Sequence, residues 1–389
     1  MEPANIAKKI TPSLTLAIDS KAKALKAEGK DICGFGAGEP DFDTPEHIKL
    51  AATEALVQGF TKYTPSSGIP ELRQAISEKL KNENSVDYKP HQIIVSCGAK
   101  HSCYNAILAT CNPGDEVIIP APYWLSYPEM ARMAGAEPYI VQTKEENGFK
   151  MTPDELQAAI SPSAKMVIIN SPGNPTGSVY TENELAALAE VALEDDLFIL
   201  SDEIYEKIIY DDAKHFSVSS ISKQVYEHTI TVNGFSKLYA MTGWRLGYLA
   251  APESIAKAVD SIQSHSTSNP TSFAQKGAVA AMKESQDCVA EMVKEFAQRR
   301  KLMHDSLLSI EGITCVKPMG AFYMLPNIAS FGMTSTQFCE ILLEQALVAA
   351  VPGIAFGNDQ TIRLSYACSR ENIEKGLSRI KDFCARIKK

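Results

Sequence analysis

The sequence predicts an α/β fold in which a mainly parallel sheet is covered by helices and followed by a smaller α+β piece. Three observations carry this expectation. Between Ile93 and Val232, short apolar and β-branched runs alternate with longer amphipathic stretches, the pattern of strands joined by crossover helices. A glycine or polar residue (Gly98, Asn174, Asp202, Lys237) follows several of those runs closely. Beyond Pro252 the alternation gives way to long helical stretches with a few short strands.

Residues 13–28 carry Leu14, Leu16, Ile18, Ala22 and Leu25 with lysines between them, the spacing of an amphipathic helix. Cys33-Gly-Phe-Gly-Ala-Gly-Glu-Pro-Asp41 is too rich in glycine to be helical, and such a loop lets backbone N–H groups approach a ligand closely. Residues 63–68 read as a second loop, and a helix is expected from Pro70 to about Asn82.

Strands are expected at 93–97, 116–119, 137–141, 165–170, 197–201 and 229–232, with 98–100 a turn and 102–111 and 182–193 helices. In a parallel sheet of this kind ligands bind at the carboxyl ends of the strands, which places Gly98, Asn174, Asp202 and Lys237 on one rim. Helices are expected at 255–265, 273–285 and 288–310. Strands at 313–316, 321–325 and 362–365 then alternate with helices at 336–345 and 370–387. No low-complexity linker separates the two parts, so packed domains are expected.

Length and composition bound the function. A chain of 389 residues exceeds one typical domain. Its net charge of −9 argues against a broad nucleic-acid or anionic-membrane surface. Nine scattered cysteines without a Cys-x-x-Cys pair favour reduced thiols, and seven histidines show no metal-type spacing. No secretory signal and no membrane-length apolar run is seen, so a cytoplasmic protein is expected.

The chemistry centres on Lys237, in Asn233-Gly-Phe-Ser-Lys-Leu-Tyr-Ala-Met-Thr-Gly-Trp-Arg-Leu-Gly247. A lysine in a partly dry site loses its proton easily and can form a Schiff base. Arg245 eight residues on offers a planar fork for phosphate. Together they suggest an aldehyde cofactor with a phosphate tail, pyridoxal phosphate. Ser96-Cys-Gly-Ala-Lys100 lies at a strand-to-helix junction, where free N–H groups suit phosphate or simply close a tight turn. Asn170-Ser-Pro-Gly-Asn-Pro-Thr-Gly177 is a stiff loop presenting Asn174. Asp202 ends an apolar strand and wants a positive partner such as a pyridinium N–H, unless it is simply solvated, and Tyr205 then lies within reach of the ring hydroxyl. Trp124 is either a cover for a flat ring or a core aromatic. Arg363, inside an apolar strand, wants an anion, which is either a substrate carboxylate or a buried acidic side chain.

The combination of Gly38-Glu-Pro-Asp-Phe42, Tyr63, Asn174-Pro-Thr-Gly177, Asp202-Glu-Ile-Tyr205, Ser236-Lys237, Gly243-Trp-Arg-Leu-Gly247 and Arg363 resembles the class I pyridoxal-phosphate aminotransferases of fold type I, over essentially the whole chain and in the right order. It resembles the bacterial aspartate aminotransferase branch in particular. The resemblance implies a large domain (46–288) with a seven-stranded-type, mainly parallel sheet and a small domain made of 1–45 and 289–389. It implies that Lys237 forms the Schiff base and moves the substrate proton. Asp202 would pair with the ring nitrogen, Asn174 and Tyr205 with the ring oxygen, and Trp124 would stack on the ring. Gly98, Ala99, Lys100, Ser236 and Arg245 would hold the phosphate, with Tyr63 reaching the phosphate of the neighbouring subunit of a homodimer. Arg363, Asn174, Trp124 and Gly38 would bind the α-carboxylate, while Lys100, Ser13 and Thr15 would receive a distal one.

Aspartate or glutamate as donor, a 2-oxo acid such as 2-oxoglutarate as acceptor, and possible prephenate activity follow from the same resemblance. His101 and Gly173 depart from the usual residues of that branch and bear on specificity. The competing readings are an aminotransferase for aromatic amino acids or alanine, a decarboxylase or lyase on the same fold, and a non-catalytic pyridoxal-phosphate sensor.

Overall fold

The computed structural model describes residues 2–12 and 14–387. Its centre is a seven-stranded sheet. In spatial order the strands are Ile93–Ser96, Gly247–Ala250, Thr229–Gly234, Phe198–Asp202, Ala164–Asn170, Glu116–Ala121 and Glu137–Gln142. All pairings are parallel except those of Gly247–Ala250, which runs antiparallel to both neighbours. The inner strands Ala164–Asn170, Phe198–Asp202 and Thr229–Gly234 are buried along most of their length, as strands covered on both faces must be. Separate apolar cores lie against the sheet, one gathering Ile94, Ile107 and Met130, another Leu156, Leu185 and Leu188.

Local chemistry sets where the helices begin. Thr181 caps Glu182–Glu194 by accepting from the Glu184 N–H, while the Glu184 carboxylate accepts from the Thr181 N–H, a reciprocal box that satisfies two otherwise free donors. Thr152 with Glu155 does the same for Pro153–Ala159.

The C-terminal part carries a three-stranded antiparallel sheet of Val351–Pro352, Ile362–Ser365 and Tyr323–Met324. Cys33–Gly34 pairs in parallel with Val348–Ala349, so the segment at Cys33 is built into this part. Its core collects Phe35, Phe296, Phe338 and Phe383, and it also takes in Ile204, Tyr205 and Ile208 from the loop after Phe198–Asp202. The helix Asp287–Leu308 spans both regions: Val289 packs in a core of the central sheet and Met292 in the C-terminal one.

Three local expectations need correction. Residues 98–100 are not a free turn, because only Gly98 is non-helical (φ +94°) and the helix Ala99–Thr110 begins at once. Residues 313–316 form no strand; Thr314 makes a single bridge to Asn327. The strand Gly247–Ala250 and the helices Glu46–Val57, Ser126–Met133 and Pro153–Ala159 were not anticipated. No helix among the described residues is long and apolar enough to cross a membrane.

Candidate active site

The register of the sheet brings the strand ends into line. Ser96 pairs with Gly247 and Gly247 with Gly234, while Asp202 pairs with both Asn170 and Val232. Above this rim, against the C-terminal part, lies a cavity of about 620 Å³. Gly38, Ala99, Lys100, Trp124, Asn174, Asp202, Tyr205, Ser236, Lys237, Arg245, Arg363 and Thr15 all line it. Gly98 sits just behind, at the start of the helix. Tyr63 does not reach the cavity of its own chain; it stands 91% exposed. Ser13 lies outside the described residues.

Lys237 leaves the strand Thr229–Gly234 and donates a hydrogen bond to the Gly38 carbonyl. Its pKa is lowered to about 8, mainly by burial; Glu39 opposes the shift and Arg363 and Arg245 add to it. Near neutral pH a usable fraction of this amine is therefore unprotonated, as a nucleophile or base requires.

One corner of the cavity is built for an anion. The twelve-residue helix Ala99–Thr110 has no side-chain cap, so its first N–H groups and the positive end of its dipole face the corner. Gly247 lets the strand come against that helix start, since a Cβ on it would lie 2.2 Å from the Ala99 nitrogen. Arg245 closes the corner in a left-handed conformation (φ +55°), donating to the carbonyls of Thr242 at 2.9 Å and Cys97 at 3.3 Å. With the Ser236 hydroxyl these groups match a phosphate in charge and donor number.

Asp202 ends its strand buried. Its Oδ2 accepts from the Tyr127 hydroxyl at 2.6 Å and the Cys103 thiol at 3.8 Å, and its Oδ1 from the Ile204 N–H at 3.2 Å. Burial nevertheless pushes the carboxyl up from its ordinary range, against the pull of these donors. No basic side chain among the described residues hydrogen-bonds to it. This carboxylate fits a ligand that brings its own cation.

Arg363 lines the same cavity from the strand Ile362–Ser365. Its guanidinium donates to Asn174 Oδ1 at 3.1 Å and the Gly36 carbonyl at 2.9 Å, and its buried Nε has no partner among the described residues. A fixed cation with an unpaired donor suits a carboxylate. Asn174 is held in turn by Asn170, whose Oδ1 accepts from the Asn174 N–H at 2.9 Å. Lys100 Nζ lies 5.0 Å from the centre of the Trp124 ring.

Tyr127, Asn170 and Tyr323 belong to this site and were not singled out from sequence. Tyr127 lies inside the aromatic stretch around Trp124 and Asn170 opens the Asn-Pro-Thr-Gly loop, so both carried some signal. Tyr323 carried none.

The family model for aminotransferase class I and II matches residues 30–380. The chain belongs to that family. The aminotransferase is 49% identical over 379 residues to the aspartate aminotransferase of Bacillus subtilis, covering 96% of each chain. It is also 49% identical to a probable aspartate/prephenate aminotransferase of Aquifex aeolicus, again over 96% of each chain. The solved structure of Thermus thermophilus aspartate aminotransferase with maleate superposes with a TM-score of 0.95 at 43% identity and full coverage of both chains.

Proposed function

We propose that this aminotransferase binds pyridoxal phosphate and moves the amino group of L-aspartate or L-glutamate to a 2-oxo acid such as 2-oxoglutarate. The carrying observation is that Lys237 and Arg363, a lysine lowered to about 8 and a buried arginine with an unpaired Nε, line one cavity together with Asp202. Bound there, the cofactor supplies an aldehyde that condenses with amines and a ring that accepts the electron pair left at the substrate Cα.

The protein's own groups do the rest. Lys237 Nζ is the amine for that aldehyde and the base at the substrate Cα. Asp202 holds a proton on the ring nitrogen, its Oδ2 fixed by Tyr127. Asn174 and Tyr205 orient the ring oxygen, and Trp124 covers the ring face. Gly98, Ala99, Lys100, Ser236 and Arg245 hold the phosphate. Arg363 with Asn174, Trp124 and Gly38 grips the α-carboxylate, which keeps that carboxylate on the substrate and favours transfer over decarboxylation.

Lys100, Thr15 and Ser13 receive the distal carboxylate. The names of the Bacillus and Aquifex relatives support a dicarboxylic donor, and the latter supports prephenate as a further acceptor. The division proposed is a large domain at 46–288 and a small one from 1–45 and 289–389, with the boundary inside the helix Asp287–Leu308. The assembly is a homodimer with shared sites, supported by exposed Leu50, Leu56, Val57 and Tyr63 close together in sequence. Nine free cysteines support a reducing, cytoplasmic setting.

Replacing Lys237 by Ala is expected to lower transamination by about 10²–10⁴-fold or more while leaving a folded protein. Turnover near the wild-type rate in that variant would overturn the assignment.

A further inference from the structure

Tyr323 occupies the seam between the central sheet's rim and the C-terminal sheet. Its hydroxyl lies 2.9 Å from that of Tyr205, and both side chains are buried. Among the described residues neither hydroxyl has another hydrogen-bond partner. The Arg363 guanidinium lies over the Tyr323 ring, 4.6 Å from its centre. Gly38 closes the other side: a Cβ there would stand 3.5 Å from the Tyr323 oxygen. One tyrosine thus touches both the group set to hold a carboxylate and the group set to hold the ring oxygen.

We propose that Tyr323 is a positioning residue that donates its proton to Tyr205 Oη, leaving the Tyr205 proton for the cofactor's ring oxygen, and that it ties the strength of this donation to the charge on Arg363. The inference rests on the pyridoxal-phosphate reading above.

With only each other as partners, one of the two hydroxyls must donate to the other. If Tyr205 donated, no proton of its own would remain for the ring oxygen. With Tyr323 donating, the bond accepted by Tyr205 strengthens the bond it gives, because hydrogen bonds in a chain polarise one another. The cation over the Tyr323 ring draws electron density from it and makes its hydroxyl a better donor. A carboxylate seated on Arg363 offsets that cation and relaxes the chain, so substrate binding is felt at the ring oxygen without any change in the cofactor's own contacts.

The test is an absorbance titration against pH of the cofactor-loaded protein, for wild type, Tyr323→Phe, Tyr205→Phe and the double variant. A weaker donor leaves more negative charge on the ring oxygen to hold the proton on the Lys237 nitrogen, so losing the donor raises the midpoint. Tyr323→Phe is expected to raise it by about half to one unit. Tyr205→Phe should raise it further, and the double variant should match Tyr205→Phe alone, since the two act in series. Saturating maleate should shift the wild-type midpoint more than that of Tyr323→Phe. Tyr323→His, which restores a donor, should move the midpoint back toward wild type.

An unchanged midpoint in Tyr323→Phe, or shifts that simply add in the double variant, overturns the proposal, as does a Tyr323→His midpoint equal to that of Tyr323→Phe. A wild type that takes up no pyridoxal phosphate fails at the earlier step and brings down the cofactor reading together with this one.

Discussion

Gly98 and Arg245 share a space that only a hydrogen side chain leaves open: a Cβ on Gly98 would lie 2.6 Å from Arg245 Nη2. The glycine also has φ +94°, a conformation that L side chains adopt at a cost. The same residue therefore starts the helix Ala99–Thr110 and gives the guanidinium its place in the anion corner.

Gly98→Ala should strain the backbone and push Arg245 out of that corner. The strain is expected to cost about 1–3 kcal/mol of fold stability, and with the Arg245 guanidinium displaced pyridoxal phosphate is expected to bind about tenfold or more weakly, with the fold retained. Equilibrium dialysis of the apoprotein measures this. Unchanged affinity would show that the corner does not hold the phosphate.

A second prediction concerns a buried charge network beneath the site. Lys79 donates to Glu206 and, at 2.7 Å, to Asn84; Asn84 donates to Glu206 at 2.8 Å. His215 Nε2 lies 3.1 Å from Glu203 and 3.9 Å from Glu206. Burial and the nearby Lys79 lower the His215 pKa, but the Glu203 and Glu206 carboxylates outweigh them and raise it. Burial of Glu206 is likewise outweighed, by Lys79 and His215, and its pKa falls to about 2.

The signs follow from linkage. The His215 contribution is present below its unfolded value near 6.5 and is lost as pH rises through its higher folded value. The Glu206 contribution is present above 4.5 and is lost as pH falls toward 2. Urea midpoints of the apoprotein measured from pH 5 to 9 should fall more steeply for wild type than for His215→Gln. Glu206→Ala should cost about 3–5 kcal/mol, because it strands the buried Lys79. Parallel pH profiles for wild type and His215→Gln would contradict this reading.

A third prediction follows from Tyr63, which is 91% exposed and absent from its own chain's cavity. If it serves the partner's phosphate, mixing Lys237→Ala with Tyr63→Ala subunits should create dimers with one wild-type site. Activity of the re-equilibrated mixture should exceed the sum of its parts. A merely additive mixture would place Tyr63 outside the neighbouring site.

Much of the architecture was legible because apolar strands and amphipathic helices leave periodic marks. The parallel strands ending at Ser96, Asn170 and Asp202 were anticipated to within a residue or two. Gly247–Ala250 was missed because its four residues continue a motif rich in ligand-binding signals, and so short an apolar run does not reveal its direction. Residues 313–316 misled for the opposite reason: they have the composition of a strand but find a single bridge.

Within the site, residues with a chemical reason to be where they stand could be read from sequence, as with a lysine after a strand or an arginine inside one. Tyr323 left no mark, and the aromatic stretch around Tyr127 did not show what Tyr127 touches, because each acts on a residue that the fold delivers from far away. Tyr127 is 75 positions from Asp202, and Tyr323 is 118 from Tyr205.

The central claim is amino transfer from a dicarboxylic amino acid through Lys237 and Arg363. Its most direct test is the half-reaction of the cofactor-loaded protein followed by absorbance, with aspartate, glutamate, an aromatic amino acid or alanine added singly and no oxo acid present. Aspartate and glutamate are expected to convert the cofactor to its amine form fastest. Faster conversion by the aromatic amino acid or alanine would contradict the role given to Lys100, and conversion by none of the four would contradict amino transfer at this site.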